Sequence, residues 1–414
     1  MIKNNLVNKS IVIVLVIFIF AMCIVSTTAY DIRNSNKTML TSTWLYVGGS
    51  GPGNYTTIQH AIDNASSGDT VFVYAGVYDG GIIIDKPITL MGENKHHSII
   101  DGPGEKDNGI YIFSDNVNLS GFTIQNVGNF FPDCALYIQS DNSIIHDNII
   151  TNNKFGIDVY DSVNIHIYDN LIINQNRHDG VNIRFSSNNV ISRNVISNNN
   201  GHGILLIESS ENVITENEIA NNLWGGLILI TQHDNNNLIF HNNFFQNIPN
   251  NGWDVGENSW YIKNPVGGNY WDDYTGVDED GDGIGDTPYY ISGGNNSDKY
   301  PFIKPMILGN TTLELSFGSF KPFTIRADIQ NTGYHPAVDI KYNISLNGGI
   351  HFFNPQTTPT IEYVLPDESY EITSRFLGFG RSELTITAEA LNAEKTQMTY
   401  DVFLFFFFFI VYKV

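Results

Sequence analysis

Cysteine is almost absent. The 414-residue chain has two, Cys23 and Cys134, and Cys23 sits inside an apolar leader. Once that leader is lost no intramolecular disulfide is possible, so stability must come from stacking and packing, with a metal as a further candidate. Methionine is scarce at 6 residues and no Cys-x-x-Cys occurs, which leaves few soft metal ligands. Basic residues are outnumbered, 21 Lys and Arg against 43 Asp and Glu, for a formal charge of −22 and a pI near 4.7. With no basic face to offset phosphate repulsion, nucleic acid is not an expected partner. An acidic, solvated surface suits divalent cations instead. Long apolar runs are also missing. Ile11 to Val25 is fifteen residues and Val402 to Tyr412 is eleven, both short for a membrane helix.

The composition that remains, 42% hydrophobic and 13% aromatic, is enough for a large core and two domains behind a leader. Residues 1–29 read as a signal peptide or an uncleaved N-terminal anchor: Lys3 and Lys9 precede the apolar run, and Ser26 to Ala29 supply small residues for cleavage. Either way the rest is exported. The Asn-X-Ser/Thr sites at Asn36, Asn54, Asn64, Asn118, Asn295, Asn310 and Asn343 are usable only there.

One short pattern dominates from Gly109 to Asn247. Its copies begin at Asn148, Asn170, Asn194, Asn217 and Asn242, spaced 22, 24, 23 and 25 residues apart, with an earlier copy at Phe122. Each copy ends in a polar residue: Asn126, Asn152, Asn174, Asn198, Asn221 and Gln246. Between copies, a small residue leads into alternating apolar positions at Ile110, Leu136, Ile157, Val181, Ile204 and Leu227. A period in the low twenties with period-2 alternation marks stacked strands, each repeat one turn of a parallel β-helix. Equivalent residues then lie about 4.8 Å apart. Asn tolerates the left-handed corner conformation, and stacked Asn side chains satisfy one another's amides. Before the repeats, Ile58, Ala61, Ile62 and Ala65 have helical spacing. A short helix there would shield the open end of the coil, as solenoids require.

The outward positions along one sheet alternate with the inward ones. They are Tyr111 and Phe113, Tyr137 and Gln139, Asp158 and Tyr160, Asn182 and Arg184, Leu205 and Ile207, Ile228 and Ile230. The aromatic half is a candidate sugar platform, Tyr111, Tyr137 and Tyr160 stacking on pyranose faces while Asp158 and Arg184 take hydroxyls or carboxylates. Ordinary cross-strand packing is the competing account. The aliphatic half is expected to be covered by the next loop, the second domain or a partner chain. At the corner before each strand, Lys154, His178, Gly201 and Trp224 share one column and Phe155, Asp179, His202 and Gly225 the next, placing Asp179 beside His202. That pair, near Arg177, is the candidate catalytic constellation, against the blander reading of a solvated turn. Gly201-His202-Gly203 is similar to one polygalacturonase motif, but the paired aspartates that accompany it there are not evident.

Residues 248–305 leave the repeat. Trp253, Trp260, Tyr261, Tyr270 and Trp271 suit a cap on the far end. Asp278, Asp280, Asp282 and Asp286 fall at positions 1, 3, 5 and 9 of a calcium-loop spacing, with Gly283 at 6 and the Ile284 carbonyl at 7. Position 12 is Tyr289 rather than Glu, so a structural Ca2+ site completed by water or a distant carboxylate is expected. Past Pro305, Thr324–Gly333, Val338–Leu346, Tyr370–Phe376 and Glu383–Leu391 alternate as short strands of a β-sandwich. Val402 to Tyr412 reads as its last strand, with a membrane-associated tail as the rival.

The fold class is thus all-β, a single-stranded parallel β-helix over 44–303 and an Ig-like β-sandwich over 306–414. Tyr55 to Ile62, Gly68 to Val73, Asp85 to Asn94 and Gly268-Asn269-Tyr270-Trp271-Asp272-Asp273-Tyr274 resemble right-handed β-helix proteins of the NosD type, and the C-terminal part resembles Ig-like modules of archaeal surface proteins. The resemblance implies a secreted or cell-surface protein. A role in maturing a copper enzyme belongs to members named for it, and the scarcity of Met and Cys makes copper an unexpected cofactor. The expected function is structural or carbohydrate-binding, toward extracellular polysaccharide or other envelope proteins, with membrane attachment through a terminus left open. The rival is a polysaccharide lyase, hydrolase or epimerase, and a NosD-like metal-enzyme maturation factor is the lesser alternative.

Overall fold

The computed structural model describes residues 42–102, 108–128, 133–175, 178–318, 323–353, 360–406 and 408–413. The leader expected over 1–29 and Arg177 lie outside the described residues.

Alternating short strands wind into a coil of three parallel sheets. The first sheet runs from Trp44–Val47 to Leu238–Phe240, the second from Gly76–Asp79 to Tyr270–Trp271, and the third from Ile82–Ile84 to Gly252–Asp254. Equivalent residues sit directly over one another. Ile145, Ile167, Ile191, Ile214 and Ile239 stack inside the first sheet. Ile124, Ile150, Ile172, Ile196, Ile219 and Phe244 stack inside the second. The six apolar positions expected to point inward from the third sheet also pair in register. All of these side chains are buried, so the coil holds one continuous aliphatic core.

Strands of three residues leave corner amides and carbonyls without ladder partners, and buried backbone groups need them. Side chains supply them. At the corner between first and second sheets, Asn170 donates its backbone N–H and its Nδ2–H to Asn194 Oδ1, both at 3.0 Å, while Asn194 Nδ2 donates to the Ile167 carbonyl at 2.8 Å. Asn148, Asn217, Asn242 and Asn269 extend the ladder in both directions. Asn153, Gln175, Asn199, Asn222 and Asn247 form a second ladder before the third sheet. Asn189, Asn212, Asn237 and Asn258 form another after it. The residues that close each copy turn the chain: Asn126, Asn152, Asn174, Asn198, Asn221 and Gln246 have φ between 50° and 58°. Phe185, Arg193, Glu208, Glu216 and His241 adopt the same left-handed conformation, which side-chain type alone did not signal.

Both ends of the coil are closed. The α-helix Ile58–Asn64 has Thr57 as N-cap, its hydroxyl accepting from the His60 N–H, and buries Ile58, Ala61 and Ile62 over the first turn. Lys86 Nζ donates to the carbonyls of Ile62, Asp63 and Ala65 at its C-terminus. At the far end Phe244, Trp271 and Tyr289 stack face to face, with centroids 4.4 and 4.2 Å apart. The indole N–H groups need acceptors there. Trp260 donates to Asp254 Oδ2 at 2.7 Å and Trp271 to Asp298 Oδ2 at 3.0 Å.

Beyond residue 310 the strands are antiparallel. Leu313–Phe317, Thr324–Asn331 and Ser369–Arg375 make one sheet; Ala337–Asn347, Thr360–Val364, Leu377–Ala390, Ala393–Phe406 and Phe408–Lys413 belong to the other, in which Ile350–Phe353 also pairs with Leu377–Ala390. Ile325 and Ile329 of the first share a core with Ile340, Ile344, Ile386 and Val402 of the second, a sandwich-like arrangement. The Val402 to Tyr412 stretch forms two paired strands where one was expected. This sandwich rests on the outer face of the second sheet, where Ala220, Phe245 and Tyr270 pack with Leu365 and Tyr363. His335 meets the buried Glu218 carboxylate at 3.2 Å. The aliphatic face of the third sheet is therefore not what the sandwich covers.

Burial lifts the Asp298 carboxyl from 3.8 to about 6 against the pull of its hydrogen bonds. The folded chain thus holds this proton more tightly than the unfolded chain. The stability it contributes is full below about pH 4 and is lost as pH rises through about 6, a change on the order of 2–3 kcal/mol. Asp298→Asn keeps an oxygen for Trp271 and removes the titration. The difference in melting temperature between the native protein and this variant is expected to favour the native protein more at pH 4 than at pH 7.

Candidate functional site

The third sheet carries a groove of about 280 Å3 lined by Phe155, Asp158, His178, Asp179, Asn182, Arg184, His202, Leu205, Ile207 and Trp224. Two features of the coil build it. Alternation turns Asp158, Asn182 and Leu205 outward on adjacent strands, in direct register. The corner preceding those strands then raises a wall beside them. His178 stacks on Phe155 at 4.3 Å, and Trp224 meets His178 and His202 edge to face at 5.3 and 5.8 Å.

The corner depends on a glycine. A Cβ at Gly201 would collide with Asp179 Oδ1 and the His178 backbone, so only glycine lets the turn close this tightly. Asp179 Oδ1 then accepts the His202 backbone N–H at 2.7 Å and lies 2.8 Å from His202 Nδ1. The pairing expected from the column arithmetic is present. It is a carboxylate-oriented imidazole, with Asp179 buried and His202 partly exposed. Burial pulls the His178 imidazole below its ordinary value, with Lys154 and His202 acting in the same direction and Asp179 against it. That ring is neutral at neutral pH.

Asp158 and Arg184 do not face outward as two separate groups. Arg184 reaches diagonally across the strands, and its Nε and second amino group each donate to one Asp158 oxygen, the Nε bond at 2.8 Å. The bidentate bond holds the guanidinium above its usual value. Asp158 is 4% exposed, so its carboxylate is the buried floor of the groove and Arg184 its rim. The guanidinium also lies 5.1 Å over the Tyr160 ring. Tyr160 stacks on Tyr137 at 6.4 Å, and Tyr137 meets Tyr111 edge to face at 6.0 Å. The aromatic ladder is real and half-exposed, and it leads into the groove rather than forming a separate platform. Leu205 and Ile228 are buried within the outer face itself, and Ile230 is 51% exposed. Phe155, Asn182, Leu205, Ile207 and Trp224 as groove lining were not singled out from the sequence; the signal was that Phe155 shares a column with Asp179 and His202, Trp224 the column of His178, Asn182 and Leu205 that of Asp158, and Ile207 that of Arg184.

The acidic loop lies elsewhere, beside the far cap. One oxygen each from Asp278, Asp280 and Asp282 falls within 4.8 Å of the others. Asp278 accepts the amides of Gly281, Asp282 and Gly283 at 2.7, 3.1 and 2.9 Å, and these bonds, that from Gly283 foremost, hold its carboxyl below the usual range. Gly281 and Gly283 have φ of 77° and 89°, the bend that the spacing asks of glycine. Asp286 is not in the convergent group; one of its oxygens caps the Glu279 amide at 2.6 Å. Ile284 is buried, and its own amide donates to Asp282 Oδ1. Tyr289 stacks on Trp271 and donates to Asp273, so position 12 serves the cap.

The family described as periplasmic copper-binding protein (NosD) matches residues 62–276, more than half of the chain. The protein belongs to the NosD family. No curated protein sequence matches significantly. Among solved structures, the Dettilon tailspike protein is similar at 11% identity and a TM-score of 0.38, over 81% of this chain and 94% of that one. The Agl-KA catalytic domain is similar at 18% identity and 0.34, over 54% of this chain and 47% of that one, so the match spans about half of that domain. An alginate lyase from Paenibacillus is similar at 13% identity and 0.30, over 49% and 94%. At such scores these likenesses carry no argument about chemistry.

The copper of the family description does not fit the donors at hand. Among the described residues, the one convergent set of three or more His, Cys, Asp or Glu atoms is the Asp278, Asp280 and Asp282 group, all hard oxygens. Cys134 is buried, its thiol bonded to Asn108 and the Leu136 carbonyl.

Removing one partner of the Asp158–Arg184 pair leaves a buried charge unpaired. Arg184→Ala is expected to cost about 2–3 kcal/mol in urea unfolding, after discounting for the partial exposure of Arg184. The Asp158→Ala/Arg184→Ala double variant is expected to recover part of that loss, a coupling that a double-mutant cycle reads directly.

Proposed function

We propose that this NosD-family protein acts outside the cytoplasm as a carbohydrate-binding β-helix whose far cap is braced by calcium. One observation carries the reading: the aromatic ladder and the wall of Phe155, His178 and Trp224 converge on a concave site floored by Asp158 and Asn182. Apolar ring faces beside a few placed polar groups are what a sugar requires. The periplasmic description of the family supports the location, as do the leader-like residues 1–29. Extracellular polysaccharide is the partner class; binding of other envelope proteins is the outcome to expect if no polymer is retained.

A second reading is kept by the Asp179–His202 hydrogen bond. A carboxylate-oriented imidazole at a groove rim is the arrangement of a general base, so the protein would then be a polysaccharide lyase, hydrolase or epimerase. Incubation with a panel of neutral and acidic polysaccharides separates the two. Depletion of protein onto a polymer without new chain ends is expected, with loss of retention on changing Tyr137, Tyr160 or Trp224 to Ala. New chain ends that vanish with Asp179→Ala or His202→Ala would make the protein an enzyme.

For the cation, Asp278, Asp280 and Asp282 supply hard oxygens at a spacing that suits Ca2+, with Ile284 and Asp286 as the further expected ligands. Because the loop leads into the Trp271–Tyr289 stack, bound calcium would stabilise the cap. EDTA is expected to lower the melting temperature of the native protein by several degrees. Asp280→Ala/Asp282→Ala is expected to abolish that sensitivity; retained sensitivity would remove the assignment.

A further inference from the structure

Within the groove, one buried side-chain oxygen has no partner among the described residues. Asn182 is 7% exposed, and its Oδ1 is buried without a hydrogen bond. The ladder amides of Asn148, Asn170, Asn194, Asn217 and Asn242 are each satisfied by a neighbour one turn away. Asn182 stands on the same stack of strands with Asp158 before it and Leu205 after it, and neither completes its amide: the Asp158 oxygens are taken by Arg184, and Leu205 is apolar. An unpaired buried amide costs roughly 1–3 kcal/mol, so a strand position that keeps one is poised for a ligand atom. A hydroxyl both donates and accepts, and so satisfies this amide whichever of its two atoms is turned to the groove.

The charges around it favour an uncharged ligand. Asp158 and Asp179 place two carboxylates in the groove; among its lining residues the permanent cation is Arg184, already committed to Asp158, while Lys154 stands against the Phe155 ring at the corner, 6.0 Å from its centroid. Burial, with Lys154 acting in the same direction, keeps His178 from adding a further cation at neutral pH. The whole chain carries −22, so a polyanion is repelled before it arrives and opposed once there. The exposed Trp224 ring at the rim supplies the apolar face against which a pyranose can lie.

Resting on the carbohydrate reading above, we propose that the groove selects neutral hydroxyl-bearing sugar rings over uronates, with Asn182 as the specificity-determining residue that engages a ring hydroxyl. The test measures retention of the full protein on a neutral glucan and a neutral mannan against polygalacturonate and alginate, for the native protein and for Asn182→Leu. Leu has as many side-chain heavy atoms as Asn, branches at the same carbon and removes the orphaned amide, so folding is expected to be retained, with a melting temperature close to or above the native value. A neutral polymer is expected to be held at least tenfold more tightly than either uronate, and Asn182→Leu is expected to weaken that binding by roughly tenfold. Should Asn182→Leu not fold, the smaller Asn182→Ala is read in its place for the role of Asn182, and the ratio measured on the native protein still decides the selection. Tighter retention of uronates would overturn the selection, and undiminished binding by Asn182→Leu would overturn the role of Asn182; both leave the carbohydrate reading in place. Retention of no polymer would overturn the inference and that reading together.

Discussion

Each turn of this coil depends on a side-chain amide standing where a backbone partner is missing. Strands of three residues leave too few ladder bonds to hold a corner, and a buried corner without partners would be costly. The stacked amides of Asn148, Asn170, Asn194, Asn217, Asn242 and Asn269 resolve this by bonding both to the corner and to one another. Each amide is completed only by the next turn. The energetics are therefore those of a one-dimensional stack, in which a turn is stable because its neighbours are present, and the two ends need the Ile58–Asn64 helix and the Phe244–Trp271–Tyr289 stack.

A coil fixed from within is free to vary on its outer faces. The second sheet uses that freedom to seat the sandwich through Phe245, Tyr270 and Leu365. The third sheet places an aromatic ladder, the pair of buried Asp158 with rim-side Arg184 and the Asp179–His202 corner along one line. Register holds these groups on rigid strands, so the groove is preformed and binding need not order it. Gly201 shows how local the device is: one residue without a side chain brings a carboxylate and an imidazole from adjacent turns into contact.

What the sequence disclosed and what it withheld divide along a physical line. Properties that repeat with the turn were legible. The inward stacks, the left-handed Asn corners, the cap helix and the Asp179–His202 adjacency all follow from counting positions in a period. Properties that depend on how long side chains reach across turns were not. Arg184 reaches diagonally to Asp158 instead of outward, Trp224 folds against two imidazoles, and Asp286 caps an amide instead of joining its three neighbours. Docking of the sandwich was also hidden, because its contacts join Glu218 to His335 across 117 positions with no periodic signal. The buried, unpartnered amide of Asn182 was masked for another reason: in a chain this rich in asparagine, one without a partner looks like all the others.

The central claim is that the outer face of the third sheet is the working surface of the molecule. Hydrogen–deuterium exchange of the full chain, read by peptide with and without a saturating neutral glucan, tests it most directly. The account predicts slower exchange confined to peptides spanning residues 154–160, 178–184, 201–207 and 224–228, with 278–286 and the sandwich unchanged. Protection centred on the first sheet or the sandwich, with the groove unaffected, would contradict it.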